Sequence, residues 1–303
     1  MKVSVCTLAG GRAGHLVNLV RGLNLQRRQP DELVIAVMQD EAYVLPETTF
    51  PVRQVVVGDR GIPLAAARNL AATTATGELL VFLDVDCIPD ADYIADYATT
   101  LATLDALLMG EVLYLAAGAT EAGIDFARFA ATGVKHSERT GPPETELGDC
   151  TDYRCFWSLN FAMRRATFLA VGGFDERYVG YGGEDTDFGR VVAAAGVPIR
   201  WRRGARAYHQ HHPHHMPPVH HVDSVIANAA RFREKWGEYT MGHWLHAFEL
   251  MGLIRQDDAG YVRIREVSEA DLALTRQQSD QPYASSATVL ALLKARAPAM
   301  AAA

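Results

Sequence analysis

Gly77-Glu78-Leu79-Leu80-Val81-Phe82-Leu83-Asp84-Val85-Asp86 is the stretch that decides the fold. Its five apolar residues in a row read as a strand buried on both faces, with a glycine stop before it and two acids after it. Such a strand belongs inside a parallel sheet that helices cover on both sides. Working back toward the N-terminus, the pattern recurs in Val3-Ser4-Val5-Cys6-Thr7-Leu8, in Leu33-Val34-Ile35-Ala36-Val37 and from Pro51 to Val57. Between these runs, Leu16, Leu19, Val20 and Leu23 have helical spacing, and Leu64 to Thr74 reads as a second helix. The expected fold class is therefore α/β, Rossmann-like, with a mostly parallel central sheet flanked by helices. Ligands of such sheets bind beyond the carboxyl ends of the strands, where Asp84 and Asp86 stand.

Working forward, Leu101 to Phe129 is expected to continue the sheet, and Lys135 to Asp152 is a polar loop containing Gly141-Pro142-Pro143. Cys155 to Phe161 resumes a β-like pattern, Glu184 to Ala195 is helical, and Ile199-Arg200-Trp201 is a further strand. His209 to His221 is a histidine-rich loop, and a mainly helical extension follows.

Hydrophobic residues make up 49% of the 303 and charged residues 21%, as in an ordinary globular protein, and the net charge is -7. With that charge and no block of Lys and Arg, nucleic acid is a poor partner. Cys6 and Cys87 lie in apolar runs and read as buried thiols. Cys150 and Cys155 are open to pairing or to metal binding. The expectation is a reduced, cytoplasmic enzyme without a secretory leader or membrane-spanning helix; peripheral contact with the inner face of a membrane is left open.

The chemistry resides in two acidic motifs. Asp84 and Asp86, one residue apart at a strand end, can converge on one cation, and oxygen ligands suit Mg²⁺ or Mn²⁺. Alternatively they cap the next helix or face solvent. Gly180-Tyr181-Gly182-Gly183-Glu184-Asp185-Thr186-Asp187 combines glycines, which let a substrate approach the backbone, with acids at a helix start. Asp187 is read as a helix-terminal charge alone.

Ala67-Arg68-Asn69 followed by Gly77 to Asp86 resembles the donor-binding half of family 2-like GT-A glycosyltransferases. The string from Gly172 to Phe188 resembles the acceptor-side motif of bacterial family 2 enzymes, galactosyltransferases and polypeptide N-acetylgalactosaminyltransferases. The resemblance implies a GT-A domain over residues 1–220, with a nucleotide-sugar half (1–110) and an acceptor half (111–220), and an extension over 221–303. It implies Asp84 near ribose and uracil, Asp86 as a metal ligand and Arg68 near the diphosphate. Asp185 would be the general base and Glu184 a contact to sugar hydroxyls. Thr7, Ala9 and Arg12 follow where the family holds base and ribose, and Asp40 loosely matches an acid that contacts uracil. The reaction implied is inverting, metal-dependent transfer of a hexose (galactose, N-acetylgalactosamine or glucose) from a UDP-sugar to a hydroxyl acceptor. That acceptor would be a glycan, a lipid-linked glycan, a peptide or a small molecule.

Trp157 is either a platform for a sugar ring or a core aromatic, with core the default. Seven histidines fall between His209 and His221. The family draws a third metal ligand from this place, which makes His209 the first candidate and His211 the second. Two other readings compete: a zinc-dependent hydrolase using the histidine-rich loop, and a non-catalytic sugar-nucleotide-binding module. No H-E-x-x-H motif supports the hydrolase, and Gly10-Gly11-Arg12-Ala13-Gly14 lacks the spacing of a dinucleotide fingerprint.

Overall fold

A computed structural model describes residues 1–303 except 59, 60, 137, 140, 142, 143, 277–289 and 296–303. Contacts divide the chain into two units, residues 1–177 with 184–211, and residues 178–183 with 212–303.

The first unit contains, in chain order, β1 (Val3–Ala9), α1 (Ala13–Asn24), β2 (Glu32–Val37), β3 (Val52–Val56), α2 (Leu64–Thr74), β4 (Leu79–Leu83), β5 (Cys87–Pro89), α3 (Tyr93–Thr103), β6 (Leu107–Met109), β7 (Val112–Tyr114), α4 (Phe126–Thr132) and β8 (Leu147–Asp149). It continues with β9 (Asn160–Arg164), α5 (Arg165–Ala170), α6 (Glu184–Ala194), β10 (Ile199–Arg202) and β11 (Ala207–His209). Eight strands form the main sheet in the order β3-β2-β1-β4-β9-β6-β10-β8. The first four are mutually parallel, and β6 and β10 are parallel to each other. β9 runs antiparallel to both β4 and β6, and β8 antiparallel to β10.

The apolar runs are continuous because both faces of this sheet are buried. Along β2, Leu33, Ile35 and Val37 enter one core with Leu16, Leu19 and Tyr97. The alternating Val34 and Ala36 enter another core with Ala67, Ala71 and Phe188. α2 packs closely because its buried face is alanine (Ala65, Ala67, Ala71, Ala72) apart from Arg68. Phenylalanines fill the rest of that side: Phe82 stacks on Phe161 at 4.4 Å and Phe174 on Phe188 at 4.2 Å.

The stretch from Leu101 to Phe129 does not simply extend this sheet. β7 leaves it and joins β5 and β11 in a separate three-stranded sheet, in the order β5-β11-β7. The β-like pattern at Cys155 begins with a 3-10 turn, Tyr153–Cys155, and the strand itself is β9.

The second unit holds α7 (Val222–Trp236), α8 (Gly242–Leu250), β12 (Ile254–Asp257), β13 (Gly260–Arg263) and α9 (Glu269–Thr275). Its core includes Val225, Ala229, Leu245 and Phe248. The expected mainly helical extension thus includes an antiparallel hairpin, β12–β13. Asp257 closes that hairpin by accepting from the N–H groups of Ala259 (3.0 Å) and Gly260 (3.1 Å). In the same unit, the Asn228 amide holds the carbonyls of Val179 (3.2 Å) and Gly182 (2.8 Å). Gly180 has φ +85°, and a Cβ there would lie 2.3 Å from that of Ser224, so no other residue fits without a shift. Among the described residues, no helix is long and apolar enough to cross a membrane.

Candidate active site

Asp84 and Asp86 lie in the tight connection from β4 to β5. The Asp84 N–H donates to the Leu159 carbonyl (3.0 Å), and the Asp84 carbonyl accepts from the Cys87 N–H (2.9 Å). β11 pairs with β5 so that His209 faces Cys87, and the Gln210 N–H donates to the Asp86 carbonyl (2.6 Å). That ladder delivers the His209 ring, its Nε2 3.5 Å from Oδ1 of Asp86. Stacking on Tyr114, 4.6 Å between ring centroids, steadies it from behind. Arg12, just before α1, forms an ion pair with the other Asp86 oxygen.

This geometry fits a divalent cation. Two ligand atoms each about 2.1 Å from one ion lie about 3 Å apart, close to the spacing between Asp86 and His209. A mixed oxygen and nitrogen set suits Mn²⁺. The Arg12 guanidinium already places positive charge against the same carboxylate.

The second motif meets the first through one arginine. Arg68, on α2, is only 3% exposed. Its Nη2 lies 3.2 Å from Asp84 and its Nη1 3.2 Å from Glu184. Although it stands on an alanine-rich helix, Arg68 is turned inward and away from water. Burial pushes the Asp84 carboxyl up to about 6 against the pull of Arg68, with Asp86 adding repulsion. Burial and then the neighbouring Asp185 raise Glu184 to about 7, again against Arg68. Asp185 is raised by burial, while Arg68 and the N–H groups of Thr186 and Ser158 work against the rise. A buried carboxylate raised in this way is a better proton acceptor than one in water.

The neighbouring Asn69 serves as a brace. Its amide donates to the Phe174 carbonyl (2.8 Å) and accepts from the Phe174 N–H (2.9 Å). Gly173, at φ +68°, makes room, since a Cβ would sit 2.6 Å from the Asn69 oxygen. Ala67-Arg68-Asn69 thus grips the acceptor-side segment with two successive side chains.

The other expected residues are placed as follows. Thr7 and Ala9 are buried at the carboxyl end of β1, and the Thr7 hydroxyl has no hydrogen-bond partner among the described residues. Asp40 is exposed. The neighbouring Gln39 makes the local contacts instead, accepting from the Gly11 N–H (3.1 Å) and the Tyr43 hydroxyl (2.8 Å). Trp157 is half-buried and meets His136 edge to face, with centroids 5.0 Å apart. It is His209 whose ring meets Asp86, whereas His211 accepts at its main-chain carbonyl from His15 Nε2 (3.3 Å). Asp187 is buried in α6, 1% exposed. Sequence reasoning missed Asn160, which is fully buried. It ties Tyr97 (2.7 Å) to the carbonyls of Glu111 (3.0 Å) and Ala205 (2.9 Å), and its signal was a lone polar residue opening an apolar run.

Residues 54–201 match the family model described as glycosyltransferase like family 2. The chain carries a glycosyltransferase family 2-like domain with the GT-A fold. It is 38% identical over 80 residues to validoxylamine A glucosyltransferase of Streptomyces hygroscopicus subsp. jinggangensis, covering 26% of this chain and 18% of the relative. It is 27% identical over 218 residues to chondroitin synthase of Pasteurella multocida, covering 63% and 23%. The chain therefore spans less than a quarter of the length of either relative. Among solved structures, S. aureus TarS 1-349 in complex with UDP-GlcNAc aligns with a TM-score of 0.51 and 16% identity, over 77% of this chain and 67% of that one.

Proposed function

We propose that the protein transfers a hexose from a UDP-sugar to a hydroxyl acceptor, with inversion and with a divalent metal, Mn²⁺ or Mg²⁺. The observation that carries this reading is the Arg68 bridge, which joins the Asp84 end of the donor motif to Glu184 of the acceptor motif. Glycosyltransferase relatives and a UDP-sugar complex of a protein with the same fold support it.

In this reading, Asp185 takes the proton of the acceptor hydroxyl as its oxygen forms the bond to the sugar C1. The bond from C1 to the diphosphate oxygen breaks on the opposite face, and UDP leaves with the electron pair. Asp86 and His209 would hold the metal, which when bound neutralises charge growing on the diphosphate. Glu184, held by Arg68, would position a sugar hydroxyl, and Asp84 the ribose. Thr7, Ala9 and Arg12 would border the nucleotide, and Trp157 a sugar ring. The zinc-hydrolase reading is weaker, because the first histidine of its cluster is already turned to Asp86.

Calorimetric titration with a panel of nucleotide sugars, with and without Mn²⁺, tests the proposal. Binding of a UDP-sugar that disappears without metal and in Asp86→Ala is the expected result. Absence of binding to every nucleotide sugar would overturn it.

A further inference from the structure

Cys150 and Cys155 are both half-buried, unlike Cys6 and Cys87, which are closed off in the core. Each is held by its main chain. The Cys150 N–H donates to the Ile199 carbonyl (2.9 Å), continuing the pairing of β8 with β10. Cys155 ends the 3-10 turn Tyr153–Cys155. Asp152 brings the two together. Its carbonyl accepts from the Cys155 N–H (3.0 Å) and from the Cys150 thiol (3.2 Å). Its carboxylate caps the turn, accepting from the Arg154 N–H (3.0 Å) and Nε (2.8 Å). The two side chains thus meet, thiol hydrogen-bonded to thiol.

A pair of thiols in contact has two ordinary uses, a metal or a disulfide. A metal needs further ligands, and among the described residues no third histidine, cysteine or carboxylate joins this pair at ligand spacing. A disulfide needs only the two sulfurs and an oxidant able to reach them, and both cysteines are partly open to solvent.

We propose that Cys150 and Cys155 form a reversible disulfide, made by exchange with a small-molecule disulfide such as glutathione disulfide. The Cys155 thiolate attacks one sulfur of the small disulfide, whose S–S bond breaks and whose other half leaves and takes up the proton. The Cys150 sulfur then gives up its proton and attacks at Cys155, displacing the second half as a thiol. Two protein thiols are oxidised, and one small disulfide is reduced to two thiols. Cys150 suits the second role. Burial and then the Cys155 thiol push it up to about 11, against the Asp152 main chain, which makes it a poor first attacker. It also lies in contact with the sulfur that it must attack.

The ring so closed fastens the edge of the main sheet to the turn that leads into Phe156, Trp157 and Ser158. The Ser158 N–H donates to Asp185, so the bond would steady the stretch of chain that supports this acid. The inference stands on the two cysteines and does not depend on the transferase reading.

The test is to incubate the full chain with glutathione and its disulfide in graded ratios, quench in acid, alkylate with N-ethylmaleimide in denaturant and digest for mass spectrometry. Trypsin cleaves after Arg154, between the two cysteines, so the bond appears as two joined peptides. The expected result is loss of two of the four alkylatable thiols, with Cys150 joined to Cys155 in a monomeric chain and both thiols recovered on reduction. Cys150→Ser removes the second attacking sulfur and is expected to accumulate glutathione on Cys155, which wild type does not. Should that variant not fold, the wild-type peptides decide alone. Both thiols alkylated at every ratio, or glutathione held on Cys155 to the same extent in wild type and variant, overturns the proposal.

Discussion

Arg68 and Glu184, 116 residues apart in sequence, lie 3.2 Å from each other in the interior. The same guanidinium reaches Asp84, so one buried cation serves a buried acid and a half-buried one. Removing one partner of such a cluster leaves the others charged and unmatched in a poor solvent for charge.

Arg68→Met is therefore expected to cost about 3–5 kcal/mol of stability. For a chain of this size that is a fall in Tm on the order of 10 °C, measurable by calorimetry. Arg68→Lys keeps the charge but not the fork, and is expected to fall between Met and wild type. Equal melting of all three proteins would show that the bridge is not structural.

Asp185→Asn is expected to lower kcat by about 10²–10⁴, the usual contribution of a positioned base. Affinity for the UDP-sugar should hardly change, because the donor motif is untouched. Parallel turnover assays and calorimetry separate the two effects, and an active Asp185→Asn enzyme would remove this residue from the reaction.

His209→Ala is expected to weaken Mn²⁺ binding by more than about tenfold, the least that loss of even an outer partner of a metal site costs. His211→Ala should bind Mn²⁺ as wild type does. Mn²⁺ paramagnetic resonance titrations distinguish them, and the reverse order would reassign the ligand. Chelation by EDTA should abolish nucleotide-sugar binding in wild type.

A pH effect is expected far from the site, at Glu32. Burial alone would raise this carboxyl. Hydrogen bonds from Ser4 (2.5 Å), from Thr76 through its N–H (2.6 Å) and hydroxyl (2.8 Å), and from Arg53 hold it instead at about 2, below the ordinary 4.5. A depressed carboxyl stabilises the fold above pH 4.5, and that stability is lost as pH falls toward 2. The contribution at neutral pH is roughly 3 kcal/mol. Urea unfolding of wild type and Glu32→Gln should give curves that differ at pH 7 and converge toward pH 2. A constant gap across that range would show that the charge does not matter.

Much of the first unit was legible because its strands are buried on both faces, and continuous apolar runs such as Leu79–Leu83 have few other uses. The two acidic motifs were legible for the same reason that they are chemical: carboxylates at a strand end and a helix start attract attention when glycines surround them. What one sequence does not carry is pairing at a distance. Nothing local marks Arg68 as buried, since an arginine on an alanine-rich helix normally faces water. Nor did the departure of β7 into a second sheet show, because a three-residue strand leaves no periodicity. Asp40 drew the reading by its charge, while its uncharged neighbour Gln39 makes the bonds to Gly11 and Tyr43. The β12–β13 hairpin was overlooked because its strands are largely polar and only the Asp257 to Gly260 turn announces it.

The small sheet β5-β11-β7 has a consequence for how this protein tolerates change. His209 is registered against Cys87 on one side and Tyr114 on the other by main-chain pairing. Its address is thus set before the loop that follows, and residues inserted or deleted after Gln210 leave it unaltered. A single residue added within Ala207–His209 would instead turn the imidazole to the opposite side of its strand. The histidine-rich stretch can therefore lengthen, shorten or change composition in related chains while this one histidine keeps its place.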